Sequence, residues 1–381
     1  MVLTEAQKMI QGTASSIARQ ELAPRAARVD REQFFPREGL NKLAEAGFLG
    51  LNVPEALGGG GADTLSFVLA TEGIAGGCAS TALVFLTHSL VARALAAAGS
   101  EEQKKRLLPA MIAGRRLGAL AATEATSGAN AFAITTRAVA DGDDFVVNGA
   151  KTFITGAQEA EIYIVVLRTD QAKGPADLSA LIIEKGAPGF SFGKKEDFMG
   201  LRGASDGELI FENCRVPRSS LLGPENGYVT VMPRFIGPAL LGMAGISLGI
   251  AQAAAEAAAA HAKTREVAGQ SLGQFQGVQY LIAEMNTALA AARALSYSAA
   301  LQLDGQQPPS PLPLYMAKLF ATEMAVEVAH KSLQVHGGTG YSRGLPVERY
   351  YRDARGLTLH FTPSEMLKGL LGRMLMGMPP F

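Results

Sequence analysis

Hydrophobic and polar positions along the chain fall into three blocks with different periods. Residues 1–118 keep helical spacing throughout, as Ala-rich amphipathic windows separated by Pro24, Pro36, Pro54 and the glycine run at 58–61. Ser100, followed three residues later by Gln103, predicts a capping box for the helix EEQKKRLLPAMIAG. From about residue 119 to 223 the period changes. Short β-branched and apolar runs alternate with Gly, Asp and Asn turns, so AITTRAVA, DFVVNGAKTFIT, IYIVVLRT, LSALIIEK, FSFGKK and GELIFENCRV predict strands. After Gly223-Pro224 helical spacing returns and predicts long helices near 226–263, 274–303, 313–336 and 346–373, with PPSPLP as a rigid elbow. A strand block between two helical blocks predicts an α+β chain. The expected parts are an N-terminal helical domain over 1–118, a central β-barrel or sandwich domain over 119–224 and a C-terminal four-helix bundle over 225–381.

The densest punctuation lies in residues 331–373. The helical period through Met324, Val328, Leu333 and Val335 stops at Gly337-Gly338, where a left-handed exit carries no Cβ penalty and the backbone can lie close to something flat. Gly340, Gly344 and Pro346 extend the break, and Pro346 suits the first turn of the helix carrying Glu348 to Asp353.

Composition narrows the function classes. Lys plus Arg and Asp plus Glu are equal at 35 each, so no general field for nucleic acid or anionic lipid is expected. Trp is absent and aromatics are sparse, which argues against a base-stacking surface. Cys78 and Cys214 are too few for a disulfide framework and suit a reduced, intracellular setting, expected to be cytoplasmic. MVLTEAQKMIQGTASS has no apolar run or cleavage pattern, so no secretion signal is expected. Residues 237–255 carry no formal charge and are long enough to span a bilayer. Gly and Ala dominate them, however, and Glu256 and His261 continue the same helix, so a buried helix of a soluble protein is expected. His88, His261, His330, His336 and His360 form no HExxH and no spacing with Cys, so no metal is expected. Phosphate-loop and dinucleotide patterns are missing too.

HGGTGY and then PVERYYRDAR resemble the C-terminal signature of the acyl-CoA dehydrogenase family of flavoproteins. LNVPEALGGGGAD, TEATSGANAFAITTRA, GAKTFITGA and LGIAQAAAEAAAAHAKTREVAGQSLGQFQGVQ resemble further blocks, in family order and over nearly the whole chain. The resemblance implies a helical, β, four-helix architecture and a bound FAD. It places Leu120, Thr123 and the Gly128-Ala129 turn against the isoalloxazine ring, with Phe153, Ile154 and Thr155 of KTFIT. Phe153 stands where many members carry Trp; it can stack but lacks the indole donor. Arg265, Gln276, Gln334, Gly337 and Gly338 match the pyrophosphate and adenine end, Arg265 being the best anion ligand among them. In the family these residues reach a flavin held mainly by a neighbouring subunit, which implies a homodimer or homotetramer. Val267 and Ala268 stand where Thr and Phe are usual, removing two contacts.

The family's usual reaction needs a carboxylate to take the α-proton of an acyl thioester while the flavin takes the β-hydride. That base commonly sits in a Glu-Gly-Thr turn after RDAR; here the turn reads Phe361, Thr362 and Pro363, and Glu365 lies one helical turn too far along. A second group of members carries the base on the first helix of the C-terminal domain, where this chain has Ala239. Gly237 and Leu240 replace the Asp and Arg that commonly contact pantetheine, so acyl-carrier protein joins acyl-CoA as an expected carrier. Three readings follow. A surrogate base, His360 first and His88 second, serves an acyl-thioester oxidoreductase that passes electrons to a flavoprotein or to oxygen. Alternatively LTLHFTP, similar to the LTLH-x-x-P tail of flavin-dependent monooxygenases on this fold, points to oxygen activation. Third, the chain is the degenerate partner in a hetero-oligomer.

Overall fold

The computed structural model describes residues 2–128, 130, 133–174, 176–305 and 310–379, apart from the side chain of Arg234. Helices α1 (Glu5–Ile17), α2 (Ala23–Arg31), α3 (Arg37–Glu45), α4 (Thr64–Gly77), α5 (Ala79–Ala98) and α6 (Glu101–Ile112) build the N-terminal part. Their starts follow local chemistry. Thr4 with Gln7 and Ser100 with Gln103 form reciprocal capping boxes, and Asp63 caps α4 through the Ser66 N–H. The sequence of α4 and α5 is apolar nearly all round, so both are buried along most of their length.

Strands β1 (Gly118–Ala121), β2 (Arg137–Asp141), β3 (Asp144–Ile154), β4 (Ile162–Thr169), β5 (Ser179–Glu184), β6 (Phe190–Lys195) and β7 (Gly207–Pro217) form a curled mixed sheet. Its order is β1-β4-β2-β3-β7-β6, with β5 also on β4. β4 is an uninterrupted apolar run buried on both faces, as a strand flanked by parallel β1 and antiparallel β5 must be. β3 shifts register against β7 twice, between Val147 and Gly149 and between Lys151 and Ile154. At the second shift Phe153 takes φ 57° and its ring turns out of the sheet, 53% exposed, while Lys151 and Ile154 point inward. This is the usual effect of a bulge, re-aiming one side chain.

The C-terminal part comprises α7 (Tyr228–Val231), α8 (Pro233–Thr264), a two-strand hairpin β8 (Glu266–Val267) and β9 (Gln270–Ser271), α9 (Gln276–Gly305), α10 (Pro311–Tyr341), α11 (Val347–Leu357) and α12 (Ser364–Leu375). α8 is the axis, packed on α9, α10 and α11 and on α4 and α5 of the N-terminal part. Its small residues permit this: Gly245 and Gly249 lie against the α4 backbone, where an added Cβ at Gly249 would meet the Glu72 carbonyl at 2.3 Å. Two described helices, Ala79–Ala98 and Phe235–Thr264, are long and apolar enough to cross a membrane, but 78% and 89% of their apolar windows are buried within the protein.

The structure corrects the sequence reading at four places. The single helix expected over 346–373 is two, α11 and α12, because Phe361 takes φ 58° and Pro363 starts a new helix. The expected simple exit at Gly337-Gly338 is a kink: Gly337 takes φ 61°, ψ −146°, a region open to glycine, and one more turn runs to Tyr341. β1 was not among the expected strands. Of the proline elbow, Pro308 and Pro309 lie outside the described residues, and Pro311 opens α10.

Candidate active site

Leu120 sits half-buried on β1 between the fully buried Ala119 and Ala121. The chain leaving β1 is held to β3 by a buried ion pair. Lys151 Nζ lies 2.8 Å from Glu124 Oε1 and also donates to the Ala122 carbonyl at 3.0 Å. Glu124 further accepts the Thr135 N–H and hydroxyl, both at 2.7 Å, and the Thr136 N–H at 3.0 Å. Burial pushes the Glu124 carboxyl up, but the bonds from Lys151, Thr136 and Thr135 outweigh it and hold the group at about 2. Burial likewise pushes the Lys151 ammonium down to about 8, more than its carboxylate partner offsets. The Thr152 N–H donates to the Thr123 carbonyl at 3.0 Å, so this clamp joins the segment after β1 to the end of β3 that precedes Phe153. Ile154 is 2% exposed and belongs to the core, and Ala129 lies outside the described residues.

A second knot forms at residues 199–206, before β7. Gly203 N–H donates to Ser80 of α5, and Leu201 N–H donates to the buried Asp353 carboxylate of α11 at 2.6 Å. Burial pushes that carboxyl up to about 6. Arg352 reaches both Asp30 oxygens of α2 at 2.8 and 2.7 Å, Glu348 on its own helix, and the Met199 carbonyl. The segment ends at Asp206, whose carboxylate accepts the Thr155 hydroxyl at 2.8 Å. His360 lies near this knot: Leu201 Cδ1 and His360 Cε1 both flank Gly356, and an imidazolium at His360 would lower the Asp206 carboxyl. His360 Nδ1 is 2.8 Å from the Gly356 carbonyl. A carbonyl only accepts, so Nδ1 carries the hydrogen and a neutral ring keeps its lone pair on Nε2.

Arg265, Gln276, Gln334, Gly337 and Gly338 gather elsewhere, at one end of the bundle, all exposed. Arg265 ends α8, Gln276 opens α9, and Gln334 with the glycines lies near the end of α10. Stacked rings of His261 and His336, 4.3 Å apart, join the α8 and α10 ends, and the Leu272 N–H donates to the Arg265 carbonyl. No hydrogen bond or ion pair among the described residues links this group to Thr155 or His360.

Residues 4–115, 119–214 and 226–376 match the N-terminal, middle and C-terminal domains described for acyl-CoA dehydrogenase. The chain belongs to the acyl-CoA dehydrogenase family. It is 38% identical to isobutyryl-CoA dehydrogenase, mitochondrial, of Dictyostelium discoideum, over 93% of this chain and 85% of that one. It is also 38% identical to acryloyl-CoA reductase (NADH) of Anaerotignum propionicum, over 98% and 95%. Butyryl-CoA dehydrogenase of Megasphaera elsdenii superposes with a TM-score of 0.95 at 33% identity, covering 99% of each chain. The protein is thus an acyl-CoA-dehydrogenase-like flavoenzyme, an oxidoreductase acting on acyl-CoA.

Its residues fit the family's flavin. Phe153 offers an uncovered aromatic face whose described ring neighbour is Phe198 at 5.7 Å. Space is open where a Cβ would sit on Gly337 or Gly338, and Arg265 has no ion pair among the described residues. A flat apolar surface, accessible main chain and an uncompensated guanidinium suit a ring system with a pyrophosphate.

Other site expectations change. His88 is fully buried, with Nδ1 accepting the Gly118 N–H at 3.2 Å, and burial pushes it down to about 4. It joins α5 to β1, and a ring with no exposed atom does not serve as the surrogate base that the sequence suggests. Ala239 is fully buried in α8. Phe361 is half-buried on the α11–α12 turn, where Lys318 of α10, itself fully buried, donates to the Thr362 carbonyl at 2.7 Å. Sequence reasoning missed Lys318, Asp206 and the pairing of Glu124 with Lys151. For Lys151 in β3 and Lys318 in α10 a charged residue inside an otherwise apolar run was the available signal, whereas Glu124 and Asp206 lie in loops.

Proposed function

We propose that the chain binds FAD and interconverts a short acyl thioester with its α,β-unsaturated partner, using His360 where other members place a carboxylate. The observation that carries this reading is the α11–α12 turn, where apolar Phe361 stands at the expected base position and His360 Nε2 has no hydrogen-bond partner among the described residues. FAD, when bound, supplies the two-electron acceptor. Leu120, Thr123, Phe153 and Thr155 line its ring, and Arg265, Gln276, Gln334, Gly337 and Gly338 serve the pyrophosphate and adenine end across a subunit boundary. The working form is therefore a homodimer or homotetramer. Phe361 faces the acyl chain, excluding water, while Ala239 stays in the α8 core, and His360 Nε2 holds or releases the α-proton. Acyl-CoA is the carrier favoured by the family; an acyl-carrier protein is the alternative that Gly237 and Leu240 leave open. Electrons pass to an electron-transferring flavoprotein or to oxygen, and the setting is cytoplasmic.

Purified protein is expected to be yellow. Anaerobic mixing with short-, medium- and branched-chain acyl-CoAs is expected to bleach the flavin band with at least one of them. Colourless protein that resists reconstitution favours a non-catalytic subunit. Yellow protein bleached by no thioester, but turning over a ring compound with NAD(P)H and oxygen, favours a monooxygenase.

A further inference from the structure

Asp206 is an acid that the family reading leaves unused. It is 3% exposed, and its carboxyl group lies 2.8 Å from Thr155 Oγ1, on a threonine that is only half-buried. A threonine hydroxyl has one hydrogen to give and lone pairs to accept with. When Asp206 is ionised it takes that hydrogen, and Thr155 can present only lone pairs to whatever lies on its open side. When Asp206 carries a proton, it donates to Thr155 Oγ1 and the threonine hydrogen is freed to point outward.

We propose that Asp206 is a proton-linked positioning residue, whose protonation decides whether Thr155 meets the bound flavin as a hydrogen-bond donor or as an acceptor. The proposal rests on the FAD reading above. It deepens that reading by making the electron affinity of the site depend on a proton held by protein. Groups facing Asp206 come from each surrounding element. Thr155 follows β3, His360 follows α11, Glu196 follows β6, and the Asp206 N–H lies beside its own carboxylate. Burial raises the carboxyl; His360, Thr155 and that N–H lower it, Glu196 raises it, and the balance is upward. Glu196 is also tied to this turn through its N–H, which donates to the Asp206 carbonyl at 2.9 Å.

Asp206→Asn tests this, because the amide can donate to Thr155 Oγ1 at every pH and so imitates the protonated acid. In FAD-loaded wild-type protein, the flavin absorbance and reduction midpoint are expected to include a one-proton step above the ordinary carboxylate range. In D206N that step is expected to vanish, with values remaining at the wild-type low-pH limit. Bound FAD with identical pH profiles in both proteins overturns the proposal while leaving the FAD reading intact.

A second readout needs no flavin. An acid raised on folding makes the protein lose stability as pH climbs from its unfolded value, about 3.9, through its folded value. D206N is therefore expected to melt higher than wild type at pH 7, with the gain fading towards about pH 4. No gain at neutral pH overturns the raised acid itself. A gain at neutral pH in protein that cannot take up FAD removes both the FAD reading and the relay, while leaving the acid's burial established.

Discussion

Phe361→Glu is expected to raise the rate of acyl-CoA dehydrogenation by about 10²- to 10⁴-fold, the range a positioned general base contributes. The backbone is already prepared for the change. Phe361 sits at φ 58°, costly for any non-glycine side chain, so glutamate adds no new strain. The turn itself is fixed from both sides: Lys318 Nζ donates to the Thr362 carbonyl at 2.7 Å, and the Ser364 N–H donates to the Thr358 carbonyl at 3.0 Å. A carboxylate introduced there has room because Phe361 is only half-buried. Anaerobic flavin bleaching and steady-state turnover with short-chain acyl-CoA read the outcome. An unchanged rate means that the acyl pocket differs from other members in more than its base.

The largest stability loss is expected at the other end of the site. Lys151→Met leaves Glu124 buried without its cation, and breaking a buried pair in this way costs about 3–5 kcal/mol. Both side chains are nearly inaccessible, at 0% and 4% exposure, so solvent cannot take over the lost partner. Urea unfolding is expected to show a lower midpoint with an unchanged slope. FAD retention is expected to fall with it, since the same pair ties the segment carrying Thr123 to β3. The wild-type pair also sets acid tolerance. Glu124 is depressed on folding to about 2, so its contribution is full above the ordinary carboxylate range and is lost as pH falls through about 2. In K151M that loss begins at higher pH. Adding Glu124→Gln to K151M should recover part of the stability, because the stranded charge is removed.

Strands rich in β-branched residues were legible because their alternation or apolar run reports burial directly, as in IYIVVLRT. β1 was not. Gly118–Ala121 reads GALA, with no side chain that favours a strand, and it becomes one by pairing in parallel with Ile162 to Val165. The break between α11 and α12 was hidden for a related reason: LTLHFTPSEML keeps enough apolar spacing to continue a helix, and Pro363 was outweighed. The site was legible where it is contiguous. KTFIT and HGGTGY could be read as units, whereas Glu124 with Lys151 and Thr155 with Asp206 are pairs 27 and 51 residues apart that the sheet brings together. His88 misled because a histidine in an apolar helix looks alike whether it lines a pocket or closes a packing joint.

Exchange of the α-hydrogen of a short acyl-CoA with solvent deuterium, followed anaerobically by mass spectrometry, isolates the proton-transfer step from electron transfer. Wild-type protein is expected to wash deuterium into the α-position, and His360→Asn is expected to slow that exchange by about 10²-fold or more while the flavin remains bound. Undiminished exchange in H360N, with exchange abolished instead in D206N, would contradict the account: the buried carboxylate, not the imidazole, would then be the base.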